Sequence, residues 1–338
     1  MPATIKDIAD KVGRSITTVS RALADYDDVS QSTKELVRKV ADEMGYSPNY
    51  TAQHLQKKHS DTLGLILPTF GPRFSDPFFS EFIAGVGNTA SLFDYDILVS
   101  TRAPGKSELE TYKQNVQSRR VDGFILVRTR RQDPRIKYLR ETGFPFVSFG
   151  RTEGPLDYPF VDEDSEYGMR LAVNHLYELG HRRIACIYPP SELNFTLDRL
   201  SGVQCRMKEL GLQITDDWFI QGALTQESGY ENANKLMGLT NKPTAIICCN
   251  DLMALGAMSA IQERGLIVGK DISVTGFDNI PLAEHSHPQL TTLTQPIYKI
   301  GSLVCEILIK SIRDEKIDEN QIILKPELIV RQSSGTVL

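Results

Sequence analysis

The sequence has few of the features from which secreted, membrane-bound and metal-dependent proteins are built. Its five cysteines include no Cys-x-x-Cys pair, and an odd number cannot all be paired within one chain. No apolar run approaches the roughly 20 residues of a membrane-spanning helix, and the first residues lack the apolar stretch of a signal peptide. We therefore expect buried, reduced thiols, no membrane partner and a cytoplasmic location.

Motifs of catalysis and cofactor binding are also missing. The sequence has no GxxxxGK[ST] phosphate loop and no GxSxG nucleophile elbow. His285 and His287 lack cysteine or carboxylate partners at a metal-ligand spacing. Gly85–Ala90 matches the GxGxxA dinucleotide pattern, but that pattern requires a strand directly before it, and residues 78–84 are typical of an amphipathic helix. The sequence thus predicts no enzyme, no cofactor and no metal site.

Length and charge suggest how the chain is organised. The 338 residues are too many for one ordinary domain and predict two or three. The net charge of −5 would by itself argue against a nucleic-acid binder. Residues 1–60, however, hold nine basic and eight acidic residues, a net charge of +1, which leaves −6 for the remainder. This asymmetry has the sign expected of a DNA-binding head but is small, so any such assignment depends on motifs.

The first 25 residues have the pattern of a helix-turn-helix. Apolar residues at spacing i, i+3, i+4 and i+7 predict one amphipathic helix: Ile5, Ile8, Ala9 and Val12. Gly13 can adopt the left-handed turn that ends this helix, and Ser15 can cap a second one. The inner face of the second helix consists of Val19, Ala22 and Leu23. Two short helices joined by a glycine turn are typical of this motif.

The outer face of the second helix carries side chains suited to DNA: Ile16, Thr17, Thr18, Ser20 and Arg21. Arginine can bond two guanine acceptors, isoleucine and threonine methyls can touch a thymine methyl, and hydroxyls can reach bases or phosphates. The alternative is that this face is only the solvated side of a small helical bundle.

A third helix is predicted, with a core stripe of Leu36, Val37, Val40, Ala41 and Met44. Ser32 and Glu35 have capping-box spacing, while Ser30 is the alternative cap. The segment that follows, as far as residue 58, has Ala52 and Leu55 at helical spacing but is too short and polar to be a stable helix alone. It either folds against DNA or a second copy of the chain, or is a plain linker.

Residues 61–338 alternate between short apolar runs and helix-length amphipathic stretches. This alternation predicts parallel, doubly wound α/β sheets covered by helices on both faces. Ligands in such folds bind outside the carboxyl ends of the strands. The polar groups and the aromatic ring near these ends are Asp76, Phe79, Asp162, Arg199, Asn250 and Asp278. They suit a polyhydroxylated ligand, although an aspartate or asparagine there can also be only a helix cap.

The head resembles that of the LacI/GalR family of bacterial transcriptional regulators over essentially all of residues 4–58. The resemblance lies in Thr4–Leu23, Val29-Ser30, Gly45–Asn49 and Ala52-x-x-Leu55. It implies that Ile16, Thr17 and Arg21 face bases and that Leu55 wedges into the minor groove at the operator centre. The residues implied to meet phosphates or to position the helices are Thr4, Ser15, Ser20, Ser30, Thr33 and Tyr46. The predicted DNA-binding set is completed by Thr18, Asn49 and Ala52.

The resemblance also implies a domain organisation. It predicts an all-α helix-turn-helix head (1–46), a hinge helix and linker (47–60), and a type I periplasmic-binding-protein-like core (61–338) of two doubly wound α/β subdomains. We place the N-subdomain at about 61–161 and 293–322, and the C-subdomain at about 162–292 and 323–338. In the family's pattern, Arg199, Asn250 and Asp278 match effector-contacting positions. The stacking position falls near Leu224, so we interpret Trp218 as a packing or surface residue.

These observations predict a transcriptional repressor. It would bind a palindromic operator as a homodimer and be controlled by a small-molecule effector between the subdomains, with a sugar as the favoured class. A transport binding protein would explain the body but not the head, and would require export. An enzyme would require a nucleophile, a metal or a phosphate loop. The sequence leaves open an activator in place of a repressor, and an effector that induces or co-represses.

Overall fold

The computed structural model describes residues 3–46, 59–69 and 76–337. The chain divides into two compact units, residues 1–60 and 61–338. The described part of the first unit is all-α, with helices α1 (Ile5–Val12), α2 (Ile16–Leu23) and α3 (Gln31–Glu43). None of the helices described in the chain is long and apolar enough to cross a membrane.

Local signals define the two helices of the predicted helix-turn-helix. Thr4 caps α1 in a capping box with Asp7, whose backbone N–H donates to the threonine hydroxyl over 3.4 Å. Gly13 ends α1 with a left-handed φ of 64°. Ser15 caps α2 by accepting the backbone N–H of Thr18 over 3.1 Å. The sequence therefore dictates both ends of the turn.

The small core of the head contains Val29 and most of the predicted apolar residues: Ile8, Ala9, Val19, Ala22, Val37, Val40 and Ala41. The prediction was wrong for Leu36, whose side chain is 46% exposed because α3 turns Val37 and Val40 inward instead. The cap of α3 is Ser30 rather than Ser32, although its hydroxyl does not bond the helix backbone.

The second unit contains two six-stranded sheets, in the order β11-β5-β4-β3-β1-β2 and β12-β10-β9-β8-β6-β7. All neighbours are parallel except the β10–β12 pair. The strands of the first sheet are β1 (Thr62–Pro68), β2 (Asp96–Arg102), β3 (Gly123–Leu126), β4 (Phe146–Phe149), β5 (Phe160–Glu163) and β11 (Gln321–Leu324). Those of the second are β6 (Ile184–Tyr188), β7 (Phe219–Gln221), β8 (Ala245–Cys248), β9 (Ser273–Asp278), β10 (Thr291–Thr294) and β12 (Leu328–Ile329).

Helices cover these sheets, as the buried, apolar strands require. They are α4 (Pro77–Leu92), α5 (Lys106–Ser118), α6 (Pro134–Thr142), α7 (Ser165–Glu178), α8 (Asn194–Glu209), α9 (Gln226–Gly238), α10 (Asp251–Glu263), α11 (Pro281–His285) and α12 (Ile297–Ile312). A short 3₁₀ turn spans Asp216–Trp218. The predicted fold class is therefore confirmed: a helical head and two doubly wound α/β subdomains.

The chain passes between the two sheets three times. The passages follow Glu163, Thr294 and Leu324, where β5, β10 and β11 end. Each of these strands ends two residues later than the boundary placed from the sequence. Residues 162–163 of β5 and 323–324 of β11 therefore belong to the first subdomain, and residues 293–294 of β10 belong to the second. Strand pairing, which local patterns do not encode, decides these ends.

The GxGxxA match lies inside a helix, as its flanking residues predicted. Gly85 is in the middle of α4 and faces Gly301 of α12. A Cβ atom built on Gly85 would lie 2.1 Å from the backbone oxygen of Tyr298, which is an impossible contact. Gly87 has ordinary space, with its nearest neighbour at 3.7 Å. The first glycine of the motif therefore serves helix–helix packing, since only glycine permits this approach.

Single side chains test three further expectations. The thiols of Cys186, Cys248, Cys249 and Cys305 are buried and free, as predicted, while Cys205 is exposed. Trp218 packs in the second subdomain and donates its indole N–H to the backbone oxygen of Asn241 over 3.1 Å. The position of His181 in Leu-Gly-His-Arg-Arg, at a helix end where the dipole favours a positive charge, predicts a cation, and this prediction is wrong. His181 is buried between Thr244 and Ser273, and burial lowers its pKa.

Candidate functional site

A cleft between the two sheets of the second unit brings the predicted effector residues together. The space between its lining atoms, open solvent included, is about 560 Å³. All the predicted residues line it: Asp76, Phe79, Asp162, Arg199, Asn250 and Asp278. Sequence reasoning missed further lining residues: Phe78, Val127, Arg128, Thr129, Phe149, Gly150, Glu163, Phe195 and Gln295. Leu224 lies on the wall, near the position that the resemblance implied.

Arg199 forms the centre of the cleft wall and is almost fully buried. Its guanidinium donates to the Glu163 carboxylate and to the backbone oxygen of Cys249. The Phe277 ring lies 3.7 Å below the guanidinium carbon. Although burial opposes the charge, Glu163 and the nearby Asp278 raise the pKa of Arg199. Arg199 is therefore a fixed cation that organises the acidic groups around it.

Arg128 is a second cation of the cleft; it is half-buried, and sequence patterns did not single it out. It pairs with Asp76 over 2.5 Å, and its guanidinium carbon lies 5.0 Å from the centre of the Phe79 ring. Its backbone has a left-handed φ of 50°, which is rare outside glycine. A basic residue two positions after the end of the apolar strand β3 was the available signal. Backbone strain of this kind concentrates at functional sites.

Two buried acceptors in the cleft have no partner among the described residues. They are Oε2 of Glu163 and Oε1 of Gln295. The amide nitrogen of Gln295 donates to Asp278 over 2.6 Å, so the orientation of this side chain is fixed. Buried polar atoms are usually hydrogen-bonded, and an unpaired one costs about 1–3 kcal/mol. Hydroxyl donors on a ligand that reaches these atoms would satisfy both.

Asp278 and Asn250 line the cleft in different states: burial raises the pKa of Asp278, and Asn250 caps a helix. Burial, the largest cause, raises the pKa of Asp278 well above its ordinary value, against the opposing charge of Arg199. Asp278 also has a strained φ of 117°. Asn250 caps α10, since its side-chain oxygen accepts the backbone N–H of Met253 over 2.9 Å. The cap and the cleft position coexist, because the amide nitrogen of Asn250 is not needed for the cap.

Asp162 and Asp76 also have structural duties. Asp162 accepts from Arg151 over 2.6 Å and from the backbone N–H of Glu163 over 2.8 Å. Asp76 caps α4 through the backbone N–H of Phe78 while it pairs with Arg128. Asp76 is thus a helix cap, which was the alternative interpretation of such aspartates. Asp162 instead forms an ion pair with Arg151.

Aromatic rings form the apolar part of the cleft. The rings of Phe78 and Phe149 stack with centroids 5.8 Å apart, and Phe79 meets Phe78 edge to face at 5.3 Å. The ionisable groups of the lining comprise four carboxyl groups, whose pKa values burial raises, and two guanidinium groups. Aromatic faces beside hydrogen-bonding groups favour a neutral polyol.

The head presents the predicted DNA-facing residues on one side. Ile16 is 48% exposed, Thr17 and Arg21 are exposed, and Thr18 and Ser20 are half-buried. Thr4 and Ser15 serve as caps. The hydroxyls of Ser30 and Thr33 lie 2.8 Å apart, and Tyr46 is half-buried. Asn49, Ala52 and Leu55 lie outside the described residues.

Comparison with known families agrees with this architecture. Residues 4–49 match the family model described as bacterial regulatory proteins, lacI family, and residues 173–334 match a periplasmic binding protein-like domain. The transcriptional regulator AglR of Rhizobium meliloti is 36% identical over 99% of this chain and 95% of its own. The repressor CytR of Escherichia coli K12 is 35% identical over 98% and 96%. The chain therefore belongs to the lacI family of bacterial transcriptional regulators.

Solved structures give the same result. The lac repressor dimer bound to operator and the anti-inducer ONPF is 28% identical, with a TM-score of 0.88, over 99% of this chain and 100% of that one. The complex of the transcriptional regulator CelR with cellobiose is 30% identical, with a TM-score of 0.76, over 98% and 99%. The chain thus combines a DNA-binding head with an effector-binding core.

Proposed function

We propose that this protein is a transcriptional repressor that binds a palindromic operator as a homodimer and responds to a neutral sugar in the cleft. The observation that carries the effector class is the pair of unsatisfied buried acceptors, on Glu163 and Gln295, beside phenylalanine rings. A sugar has hydroxyl donors for the acceptors and an apolar ring face for the phenylalanines. The cellobiose bound to CelR supports the same class.

The DNA side of the proposal rests on the head. The outer face of α2 carries the base-reading side chains Ile16, Thr17 and Arg21, and Leu55 would enter the minor groove. Two heads on one dimer would read half-sites about one helical turn apart, as expected for a two-fold symmetric complex. The operator-bound dimer of the lac repressor and the repressor CytR support this assembly and this sign of regulation. The protein would act on DNA in the cytoplasm.

A selection from random DNA duplexes tests this function. The full chain is expected to enrich a palindrome and to bind it in preference to shuffled duplexes at the same salt concentration. The selected operator is then titrated with a panel of glucose, cellobiose, ribose, their phosphates, adenine and guanine. A neutral sugar is expected to change operator affinity, and sugar phosphates are not. A response to purines alone, or only sequence-blind DNA binding, would refute the proposal. A reporter gene under this operator distinguishes repression from activation.

A substitution in the cleft links the response to the site. Gln295→Met keeps the side-chain volume but removes the unsatisfied acceptor and the amide donor to Asp278, and we expect it to weaken sugar binding by about tenfold. Operator affinity without sugar should stay unchanged. Gln262→Met removes a glutamine that bonds the backbone oxygen of His287 outside the cleft, and it is the matched control. Equal sugar affinity in both variants would place the ligand elsewhere.

A further inference from the structure

The arginine predicted to read bases is already held by a carboxylate of the same head. Asp28 accepts from Nε of Arg21 over 3.2 Å and from Nη2 over 2.6 Å. The two side chains thus form a bidentate pair, the geometry that fixes a guanidinium plane most firmly. The pair joins the recognition helix α2 to the loop that leads into α3.

An aromatic ring fixes the same guanidinium from a second direction. The carbon at the centre of the Arg21 guanidinium lies 4.9 Å from the centre of the Tyr26 ring. Tyr26 is 53% exposed, and the α1–α3 core does not include it. A planar cation that is bonded along one edge and covered on one face has little freedom left.

The donors that remain on Arg21 are those that a guanine needs. An arginine side chain has five N–H donors, and Asp28 engages Nε and one hydrogen of Nη2. The hydrogens of Nη1 and the second hydrogen of Nη2 have no partner among the described residues. The guanidinium therefore keeps one free N–H on each of Nη1 and Nη2 at its outer end. Two such parallel N–H donors match the acceptors O6 and N7 of guanine.

We propose that Asp28 is a specificity-determining residue that holds Arg21 with its outer fork directed at a guanine, and so fixes guanine at one position of each operator half-site. This inference rests on the proposed function, since it assumes that α2 reads DNA. Asp28 itself makes no base contact in this scheme. It is a positioning residue. Its negative charge weakens the attraction of the head to the phosphates, but its hydrogen bonds fix the orientation of the Arg21 guanidinium.

The neighbouring residue supplies a matched control. Asp27 is an exposed aspartate of the same loop, and it makes no ion pair within the described part of the chain. Asp27→Asn and Asp28→Asn remove the same charge from adjacent positions, so both change the electrostatic attraction to DNA alike. Any difference between them reports the loss of the Arg21 contact. Both side chains are exposed, so neither change should affect folding, which far-ultraviolet circular dichroism would verify.

The experiment repeats the DNA selection with the full chain of four proteins: wild type, Asp27→Asn, Asp28→Asn and Arg21→Ala. Wild type and Asp27→Asn should select guanine at the same half-site position, and Arg21→Ala should lose this preference. Asp28→Asn should reduce the guanine preference by at least about threefold and bind the best operator less tightly than Asp27→Asn. A fifth protein, which combines Arg21→Ala with Asp28→Asn, should have the same base preference as Arg21→Ala alone.

Two results would overturn the inference while leaving the proposed function intact. One is an Asp28→Asn variant with the same base preference and operator affinity as Asp27→Asn. The other is tighter operator binding by Asp28→Asn with the guanine preference kept, which would make Asp28 a competitor of DNA for Arg21. If the wild type itself selects no sequence, the proposed function fails and the inference fails with it.

Discussion

At the residue scale, buried carboxyl groups dominate the region around the cleft. Asp251 is fully buried at the start of α10, where its side chain accepts the backbone N–H of Ile280 over 2.9 Å and the hydroxyl of Thr292. Burial raises the pKa of Asp251 from 3.8 to about 7, although these hydrogen bonds oppose the shift. A carboxyl group in this state couples the stability of the second subdomain to pH.

The sign of this coupling follows from proton counts. Between pH 3.8 and about 7 the folded state keeps a proton on Asp251 that the unfolded state has lost. The contribution of Asp251 to the free energy of unfolding therefore falls as the pH rises through this window, and it is constant outside it. The neighbouring Asp278, whose pKa the charge of Asp251 raises further, changes in the same direction.

Asp251→Asn removes the titrating group, although its amide nitrogen cannot accept one of the two hydrogen bonds that the carboxyl group accepts. We expect the stability of the variant, relative to that of the wild type, to rise between pH 3.8 and about 7 and to stay constant above. Urea unfolding followed by the fluorescence of Trp218, which lies in the same subdomain, measures this difference. Asp271→Asn, at an exposed aspartate that bonds the backbone N–H of Ile267, serves as a control without this rise. A wild type and an Asp251→Asn variant with parallel pH profiles would contradict the assignment.

At the element scale, the packing of helices α4 and α12 depends on Gly85, which the sequence places in a GxGxxA pattern that suggests dinucleotide binding instead. Gly85→Ala would place a methyl group against the backbone of α12, and we expect a loss of about 1–3 kcal/mol in stability. Gly87→Ala, two residues further along the same helix, has space and should stabilise the protein by up to about 1 kcal/mol. Thermal unfolding of both variants provides the measurement, and equal midpoints would exclude the packing role.

The sequence predicts elements better than it predicts how they meet. The caps at Thr4 and Ser15 and the alternation of apolar strands with helices were local signals, and they specify the head and the fold class. The cleft residues at strand ends were found because parallel strands direct their carboxyl ends to one edge. Arg128 and Gln295 were missed, since only the approach of two distant segments turns them into lining residues.

At the scale of the whole effector core, polar contacts beside the cleft join the two subdomains. The backbone N–H of Arg131 donates to the oxygen of Glu192, and that of Asn194 donates to the oxygen of Thr129, both over 3.0 Å. Arg151, after β4, pairs with Asp198 of α8 over 3.1 Å. Because Thr129 also lines the cleft, we expect ligand exchange to require that these contacts open.

Weakening one link should therefore speed ligand exchange. We expect Asp198→Asn to increase the dissociation rate of the sugar found in the panel by about two- to fivefold, the range for a partly exposed ion pair. Asp157→Asn removes a comparable pair with Arg140 that lies within one subdomain, and its rate should match the wild type. Stopped-flow measurement of sugar release compares the three proteins. Identical rates would mean that these contacts do not gate the cleft.

The central claim is that the cleft and the head are coupled in one protein. Coupling between two binding equilibria is reciprocal, so operator and sugar must change each other's affinity by the same factor. The decisive measurement is calorimetric titration of the sugar into the full chain, free and saturated with the selected operator, beside operator titrations with and without sugar. The account predicts equal factors of at least about fivefold. Sugar affinity that is the same on and off the operator would contradict it.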